Sequence, residues 1–394
     1  MFQRLRSPRA ATVLAAAATA TGLALGASTA AFASSGHNQV PQRESDQQNN
    51  GHHGPRPGDV TLNQVDLASD VPGMAPVTDP NLKNPWGNSL SPASPLWISN
   101  QVSDNATLYS IAPGSSTATK STAVQVTMAD SVPGPSGQVA NTGTGFVLSN
   151  GTVSAPAAFI FATLDGHIEA WSPRVDPLTG TAEDKVTVRD AGYTGLAIAL
   201  TEQGDRLFAA DFLKDRIDVF DSAFDQMKTA PRQFRDPRLP KGLRPFNVQA
   251  LNGRIFVTYD IVDPATGFEG TGRHVGVVDE FTADGHLISR IVSGGALNAP
   301  WGLAIAPSGW GPVAGSLLVG NFGDGRINII ARQGGRFAHR ITGQVLVSAT
   351  GQPFAEPGLW GIRPGTAATG GTDALLFTAG INDEQDGLLG LLRP

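Results

Sequence analysis

The chain contains the phrase Ala299-Pro300-Trp301-Gly302-Leu303-Ala304-Ile305, and altered copies of this phrase recur along the sequence. Two clear copies are Asn84-Pro85-Trp86-Gly87 and Pro357-Gly358-Leu359-Trp360-Gly361-Ile362. Three weaker copies are Thr144-Gly145-Phe146-Val147-Leu148, Thr194-Gly195-Leu196-Ala197-Ile198 and Arg244-Pro245-Phe246-Asn247-Val248. Aligned on the glycine, or on Phe246 where it is missing, successive copies are separated by 58, 50, 51, 56 and 59 residues. A period of this length is typical of repeat architectures.

Each copy is followed by a second apolar run, and in most copies a polar turn leads to a third. The runs after the glycine at 302 are residues 317–321 and 325–330, and the second of these alternates apolar and polar residues as a half-buried strand does. Such a unit matches a four-stranded propeller blade, so the sequence predicts an all-β chain folded as a six-bladed β-propeller. A pair of β-sandwiches and a β-solenoid are the alternative interpretations.

Two further features of the repeat carry structural expectations. The early run at residues 60–67 precedes the first copy, and we expect it to complete the last blade and close the ring. The tryptophan before the repeat glycine is expected to fill the space between adjacent blades. These residues are Trp86, Trp301 and Trp360.

The first residues predict export. Arg4, Arg6 and Arg9 precede an apolar stretch over residues 10–31, which ends in the small-x-small pattern Ala31-Phe32-Ala33 that signal peptidases cleave. A transmembrane anchor is the alternative. We therefore predict a signal peptide at residues 1–33, a polar linker without large apolar residues at 34–58, one propeller domain at 59–394, and a secreted, extracytoplasmic location.

Composition limits the classes of function. The chain has 47 Gly, 28 Pro, 16% charged residues and no cysteine, which favours a turn-rich β-fold and excludes disulfides and thiolate chemistry. The net charge of −6 gives no footprint for nucleic acid. No second run of 18 apolar residues follows the leader, so we expect no stable membrane insertion after cleavage. The expected partner is an extracytoplasmic protein, glycan or small molecule, and the expected state is a monomer.

Both ends of the predicted domain resemble a known but uncharacterised bacterial secreted family. The opening phrase is Asp66-Leu67-Ala68-Ser69-Asp70-Val71-Pro72-Gly73-Met74-Ala75, continued at Thr78-Asp79-Pro80-Asn81-Leu82-Lys83-Asn84-Pro85-Trp86-Gly87. The closing phrase is Phe377-Thr378-Ala379-Gly380-Ile381-Asn382-Asp383-Glu384-Gln385-Asp386-Gly387-Leu388-Leu389-Gly390. Some members of that family carry a C-terminal Pro-Glu-Pro sorting signal, which is not found here. The blades are more distantly similar to NHL-repeat and gluconolactonase-like propellers, a resemblance that implies architecture and no activity.

The candidate site comes from the ends of the predicted second strands. The polar residues Asn100, Asp211 and Asn321 end these runs in alternate copies, and equivalent strand ends share one face of a propeller. Their oxygens suit a hard divalent cation such as Ca²⁺, so the channel mouth is the predicted metal or ligand site. Local capping of turns by the same side chains is the alternative explanation.

Other acidic residues are expected to lie in solvated turns. The stretch at residues 382–387 has oxygen-bearing side chains before a glycine as a calcium-binding loop does, but the twelfth position is Arg393 rather than an acidic residue, so a solvated hairpin turn is expected. The group Asp260, Asp263, Glu269, Asp279 and Glu280 is expected to be loop charge. The sequence lacks G-x-S-x-G, H-E-x-x-H, Walker and G-x-G-x-x-G motifs. The favoured function is therefore a noncatalytic ligand- or protein-binding propeller, and the alternative is a Ca²⁺-type hydrolase or lyase acting at the channel mouth.

Overall fold

The computed structural model describes residues 56–92, 94–122, 125–129, 134–176, 180–202, 204–265 and 267–394. The predicted signal peptide lies outside the described residues, as does the predicted linker except for residues 56–58. Within the described residues, no helix is long and apolar enough to cross a bilayer.

Strands dominate the described chain and pair in six sets, each with an inner strand that begins at or near a repeat phrase. From the inner strand outward, the first three sets are Pro85–Ser89, Leu96–Asn100, Asn105–Ser110 with Thr119–Lys120 and Val126–Thr127; Pro135–Ala140, Phe159–Thr163, His167–Trp171, Glu183–Thr187; and Tyr193–Ala199, Arg206–Asp211, Arg216–Phe220, Gln226–Met227. The other three sets are Leu243–Leu251, Arg254–Ile261, Val277–Phe281, Leu287–Ser293; Pro300–Ile305, Leu317–Asn321, Ile327–Ile330, Gly343–Val347; and Leu359–Pro364, Leu375–Ala379, Leu388–Arg393, Val60–Ser69. We call them sets 1 to 6.

Several short elements lie beside or between the strands of these sets. They are the strand Val77–Thr78 beside Ala68–Ser69, the hairpins Val147–Ser149 with Ser154–Pro156 and Arg332–Gln333 with Arg336–Phe337, the 3₁₀ turn Gly311–Val313 and the four-residue helix Ile381–Glu384. The predicted all-β propeller is confirmed. The number of blades stays a prediction.

The early run closes the ring as expected. Val60–Ser69 pairs antiparallel with Leu388–Arg393 and becomes the outer strand of set 6. Its first three residues also pair in parallel with residues 345–347 of set 5, so the two sets form one continuous sheet. The closing strand thus pairs with the outer strand of set 5 and with the third strand of set 6, so neither of these strands has an exposed edge where it pairs with residues 60–69.

Glycine at one position of the inner strands lets neighbouring sets approach each other. Each inner strand has a register shift at the same point, and the residue within it or directly after it is Gly87, Gly137, Gly195, Asn247, Gly302 and Gly361 in sets 1 to 6. A Cβ added to Gly87 would lie 2.7 Å from the carbonyl oxygen of Ser136 in set 2, and one added to Gly302 would lie 2.6 Å from that of Trp360 in set 6. Around the centre, the backbones of neighbouring inner strands therefore contact each other directly, with no side chain between them at this position.

The repeat alignment is wrong in two copies. Gly145 lies in a loop, and Gly137 holds the inner position in set 2. In set 4, Phe246 holds the tryptophan position and Asn247 holds the glycine position, because Asn247 pairs with Thr258 directly after the register shift. The larger side chain of Asn247 fits because its amide donates a 2.7 Å hydrogen bond to the carbonyl oxygen of Trp301 in the next set.

Replacing Gly87 by alanine is expected to destabilise the fold by about 1–3 kcal/mol, because the new methyl group would overlap backbone atoms that cannot rotate away. Chemical denaturation monitored by tryptophan fluorescence measures the loss. The matched control is Gly272→Ala, where the nearest atom to the new Cβ is a methyl group of Val275 at 3.3 Å. Equal stability of the two variants would contradict the close packing of inner strands.

Candidate functional site

The predicted site residues Asn100, Asp211 and Asn321 are fully buried at the ends of the second strands of sets 1, 3 and 5. Each is paired with the first residue of its inner strand, Pro85 in the case of Asn100 and Pro300 in the case of Asn321. The structure therefore gives the three residues equivalent places on one face of the propeller.

Each of these side chains stabilises its own turn. The Asn100 amide donates to Asn105 Oδ1 at 2.9 Å, and the Asn321 amide donates to Asp324 Oδ1 at 3.0 Å. Asp211 Oδ1 accepts two backbone N–H bonds at 3.1 Å, and burial raises the pKa of Asp211 to about 6. This is the capping role that asparagine and aspartate play in turns.

One oxygen of each of the three, Oδ1 of Asn100 and Asn321 and Oδ2 of Asp211, has no hydrogen-bond partner. Oδ2 of Asp211 does lie 3.7 Å from Nε of Arg216. Among the described residues no hydrogen bond or ion pair joins the three, and no group of three His, Asp or Glu side chains could hold a metal ion. A shared metal site stays a prediction.

Aromatic side chains fill the centre of this face. Trp360 stacks on Trp86 with ring centroids 3.6 Å apart and on Phe322 at 4.1 Å, and the ring of Trp301 meets it edge-on at 5.6 Å. Phe246 and Phe212 extend this aromatic cluster. The three tryptophans are buried and lie against residues of neighbouring sets as expected, and in addition the three indoles share one central cluster.

Small residues on the opposite side of the ring make room for the indoles. Sets 2 and 3 have Ser136 and Thr194 where the other sets have an aromatic residue. The Trp301 indole N–H donates to the carbonyl oxygen of Thr194 at 2.9 Å, so the side chain from set 5 reaches set 3 across the centre. The aromatic cluster thus closes the channel at this face.

A ring of residues lies one position beyond the predicted site residues, and three of its members, Leu164, Phe212 and Phe322, belong to the aromatic cluster or pack against it. The ring residues are Gln101, Leu164, Phe212, Asp260, Phe322 and Gly380 in sets 1 to 6. Asp260 is completely buried, and burial raises its pKa to about 7 against the opposing effect of nearby backbone N–H groups. No cation pairs with Asp260 among the described residues.

Two glutamates lie near this ring. Burial raises the pKa of Glu269 to about 8, and the charge of Glu384 adds to the shift. Glu384 accepts a 2.8 Å hydrogen bond from the Asn84 amide. Asn382, Asp383 and Glu384 have φ values of 53°, 53° and 63°, and three successive left-handed residues without glycine are unusual. This turn joins the antiparallel strands Leu375–Ala379 and Leu388–Arg393 and exposes residues 382, 383 and 385, as expected of a solvated hairpin turn, and it also brings Glu384 to Asn84.

The expectation that the acidic residues of set 4 are loop charges is wrong for Asp260, Asp279 and Glu280, which lie within strands. Two of these three, Asp260 and Asp279, are also completely buried. Burial raises the pKa of Asp279 to about 7, although Nε of Arg290 lies 3.7 Å from its Oδ1. The alternation of apolar and polar residues did not reveal that these aspartates are buried, because a polar residue in a strand is read as facing solvent.

An open cleft lies between sets 4 and 5, away from the aromatic cluster. It has a volume of about 500 Å³, a size suited to a small organic ligand. Phe256 belongs to its buried wall, Ile288 is 43% exposed in it, and the rings of Phe256 and Phe337 meet edge-on at 5.9 Å. The hairpin Arg332–Gln333 with Arg336–Phe337, an insertion in set 5, forms one side.

Basic side chains outnumber acidic ones in the cleft. Arg254, Arg332, Arg336 and His339 line it, and Glu280 is the carboxylate present. Arg254 Nε lies 3.9 Å from Glu280, so this pair is loose. His339 Nδ1 lies 2.7 Å from a backbone carbonyl oxygen, which requires a proton on Nδ1. The arginines of the hairpin therefore face the cleft with uncompensated positive charge.

Two viral proteins are similar to this chain over most of its length. The uncharacterised protein R648 of Acanthamoeba polyphaga mimivirus is 32% identical over 343 residues, which cover 86% of this chain and 81% of that protein. The uncharacterised protein L690 of the same virus is 32% identical over 348 residues, covering 86% and 87%. No family model matches the chain. The predicted relatives were bacterial, and these two are viral.

Solved structures resemble the chain at the level of the fold. A protein of unknown function from Bacteroides thetaiotaomicron is 10% identical, with 84% of this chain and 76% of that chain covered and a TM-score of 0.50. A gluconolactonase from Xanthomonas campestris is 16% identical, with 60% and 81% covered and a TM-score of 0.35.

Proposed function

We propose that this chain, which belongs to the family of the uncharacterised mimivirus proteins R648 and L690, is a noncatalytic propeller that binds a small amphipathic anion. The observation that carries the proposal is the cleft between sets 4 and 5, which combines an apolar wall with three arginines. The predicted extracytoplasmic location belongs to the same proposal and rests on the leader sequence at residues 1–33.

The two halves of the cleft define the ligand. The apolar side chains of Phe256, Phe337 and Ile288 suit a planar or aliphatic body, because burying that body removes apolar surface from water. Arg332 and Arg336 present planar guanidinium groups that can each donate two hydrogen bonds to a carboxylate, sulfonate or phosphate. A neutral ligand would leave these groups unused.

The overall charge of the chain agrees with a small anion rather than a nucleic acid. The net charge is −6, so the positive cleft is a local feature on a negative molecule. A long polyanion would meet repulsion beyond the cleft, since exposed charges interact over a Debye length of about 10 Å at 0.1 M salt. A compact anion contacts the arginines alone.

The probe anilinonaphthalene sulfonate carries a sulfonate on an aromatic body and is fluorescent when shielded from water. We expect the native protein to bind it at one saturable site, and the double variant Arg332→Gln/Arg336→Gln to weaken binding at least about tenfold, because charge-assisted hydrogen bonds are lost. The matched control, Arg232→Gln/Arg273→Gln, removes two exposed arginines outside the cleft and should leave binding unchanged.

Two results would overturn this proposal. The first is equal affinity of the cleft variant and the control variant for the probe. The second is a drop in the wild-type melting temperature on addition of EDTA, which would favour the alternative of a metal-dependent hydrolase or lyase. That alternative is supported by the unpartnered oxygens of Asn100, Asp211 and Asn321.

A further inference from the structure

A long loop joins sets 3 and 4, and it concentrates positive charge on a negative molecule. The outer strand of set 3 ends at Met227 and the inner strand of set 4 begins at Leu243, so we call residues 228–242 the basic loop. Six of the 28 Lys and Arg residues lie at positions 228–244, together with one acidic residue, Asp236. This segment therefore carries a net charge of +5, and the rest of the chain carries −11.

The inner side of the basic loop is fixed between the two sets. The buried ring of Phe234 meets Phe208 of set 3 and Phe281 of set 4, with ring centroids 5.5 and 5.6 Å apart. Asp236 is also buried, and its Oδ2 accepts a 2.8 Å hydrogen bond from Nε of Arg290 in set 4. A buried ring and a buried ion pair therefore hold the loop against both sets.

The outer side of the basic loop presents four exposed cations at a spacing of three residues. These are Arg232, Arg235, Arg238 and Lys241. Each directly follows a residue with restricted backbone rotation, and those residues are Pro231, Phe234, Pro237 and Pro240. Proline fixes φ, and Phe234 has a φ of 50°, which a bulky residue adopts only where the surrounding structure imposes it. The four cations therefore project from a stiff segment of chain.

Most of this positive charge is not paired within the protein. A side-chain nitrogen of Arg235 lies 3.4 Å from Asp215, but both side chains are about half exposed, so this ion pair is weak. Among the described residues, no ion pair involves the other three cations. Asp236, the acidic residue of the loop itself, already pairs with Arg290. The outer side of the loop therefore offers cations to an anion from outside the molecule.

We propose that the basic loop is a docking site for a short acidic segment of a partner protein, whose carboxylates pair with the four exposed cations. A guanidinium group donates two parallel hydrogen bonds to a carboxylate, and a stiff loop loses little conformational entropy on binding. A short segment fits better than a long polyanion, because the rest of the chain carries −11 and repels negative charge beyond the loop. The site is separate from the cleft between sets 4 and 5 and independent of the ligand proposed there.

The probe is a biotinylated peptide of about ten glutamates, immobilised for surface plasmon resonance. We expect the wild-type protein to bind it, and the variant Arg232→Gln/Arg235→Gln/Arg238→Gln/Lys241→Gln to bind at least about tenfold more weakly, because charge-assisted hydrogen bonds are lost. The changed side chains are exposed, so the variant should fold, which circular dichroism checks. The matched control removes the same charge from four exposed arginines elsewhere and should bind as the wild type does. It is Arg174→Gln/Arg189→Gln/Arg273→Gln/Arg340→Gln.

Three results would overturn this proposal. Equal weakening by the loop variant and its control would show a response to net charge alone. Loss of peptide binding in the cleft variant Arg332→Gln/Arg336→Gln would place the acidic segment in the cleft. Binding of the wild type to phosphatidylglycerol vesicles, with no binding to the peptide, would make the loop a membrane contact. Peptide binding that survives in the cleft variant and is lost in the loop variant supports the proposal, whether or not the cleft binds a small anion.

Discussion

Replacement of Trp360 by alanine lowers the free energy of unfolding by an expected 3–5 kcal/mol, about the range found when large aromatic core residues are truncated. Trp360 is completely buried and stacks on Trp86 and Phe322. Its indole N–H also donates to Asn84 Oδ1 at 3.0 Å, so the variant leaves a buried acceptor behind. Urea denaturation monitored by circular dichroism gives the value.

The control for this prediction is Leu200→Ala. Leu200 is 48% exposed, and surface truncations of this kind change stability by about 0.5 kcal/mol or less. A loss below about 1 kcal/mol for Trp360→Ala would show that the aromatic cluster does not hold the centre of the propeller. The double variant with Trp86→Ala should show a coupling of about 0.5–1.5 kcal/mol between the two stacked rings.

The protein is expected to lose stability as the pH rises from about 5 to about 8. Burial raises the pKa of Glu269 to about 8 and those of Asp260 and Asp279 to about 7. In an unfolded chain these groups titrate near pH 4. Between the two values the folded state binds more protons than the unfolded state, so raising the pH favours unfolding. Urea midpoints measured across this range test the prediction.

A single substitution separates the effect of Glu269 from the general pH response. Glu269→Gln removes one titrating group, so its midpoint should fall less between about pH 5 and pH 8 than that of the wild type. The control Glu202→Gln changes an exposed glutamate and should follow the wild-type profile. A Glu269→Gln profile that coincides with the wild type, or a wild-type midpoint that rises with pH, would contradict the assignment.

The repeat phrase predicted the fold because its residues are selected by local packing at the inner strand of each set. Glycine at 87, 195, 302 and 361 lets one inner strand approach the next closely, and this close approach recurs in every set except set 4, where Asn247 takes the position. The alignment failed in set 2 because Ser136-Gly137 lacks the tryptophan that marks the phrase elsewhere. The small serine is needed there, since the indoles from other sets occupy the centre.

The site was predicted less well than the fold. Asn100, Asp211 and Asn321 occupy the equivalent strand ends that were inferred, because register along a strand follows from the sequence. Their neighbours on the central ring, such as Asp260, were missed. The residue type alone does not show whether an aspartate is buried, because its burial depends on which set packs against its strand.

The sequence by itself determined the all-β character of the chain and most of its strands, because these depend on local alternation and on turns. Only the tertiary structure decided that the tryptophans share one central cluster, that Arg363 of set 6 donates to Asn88 of set 1, and that a basic cleft opens beside the hairpin at residues 332–337. These features join side chains from different sets. Their geometry depends on how the ring closes, which is a property of long-range packing that no local pattern encodes.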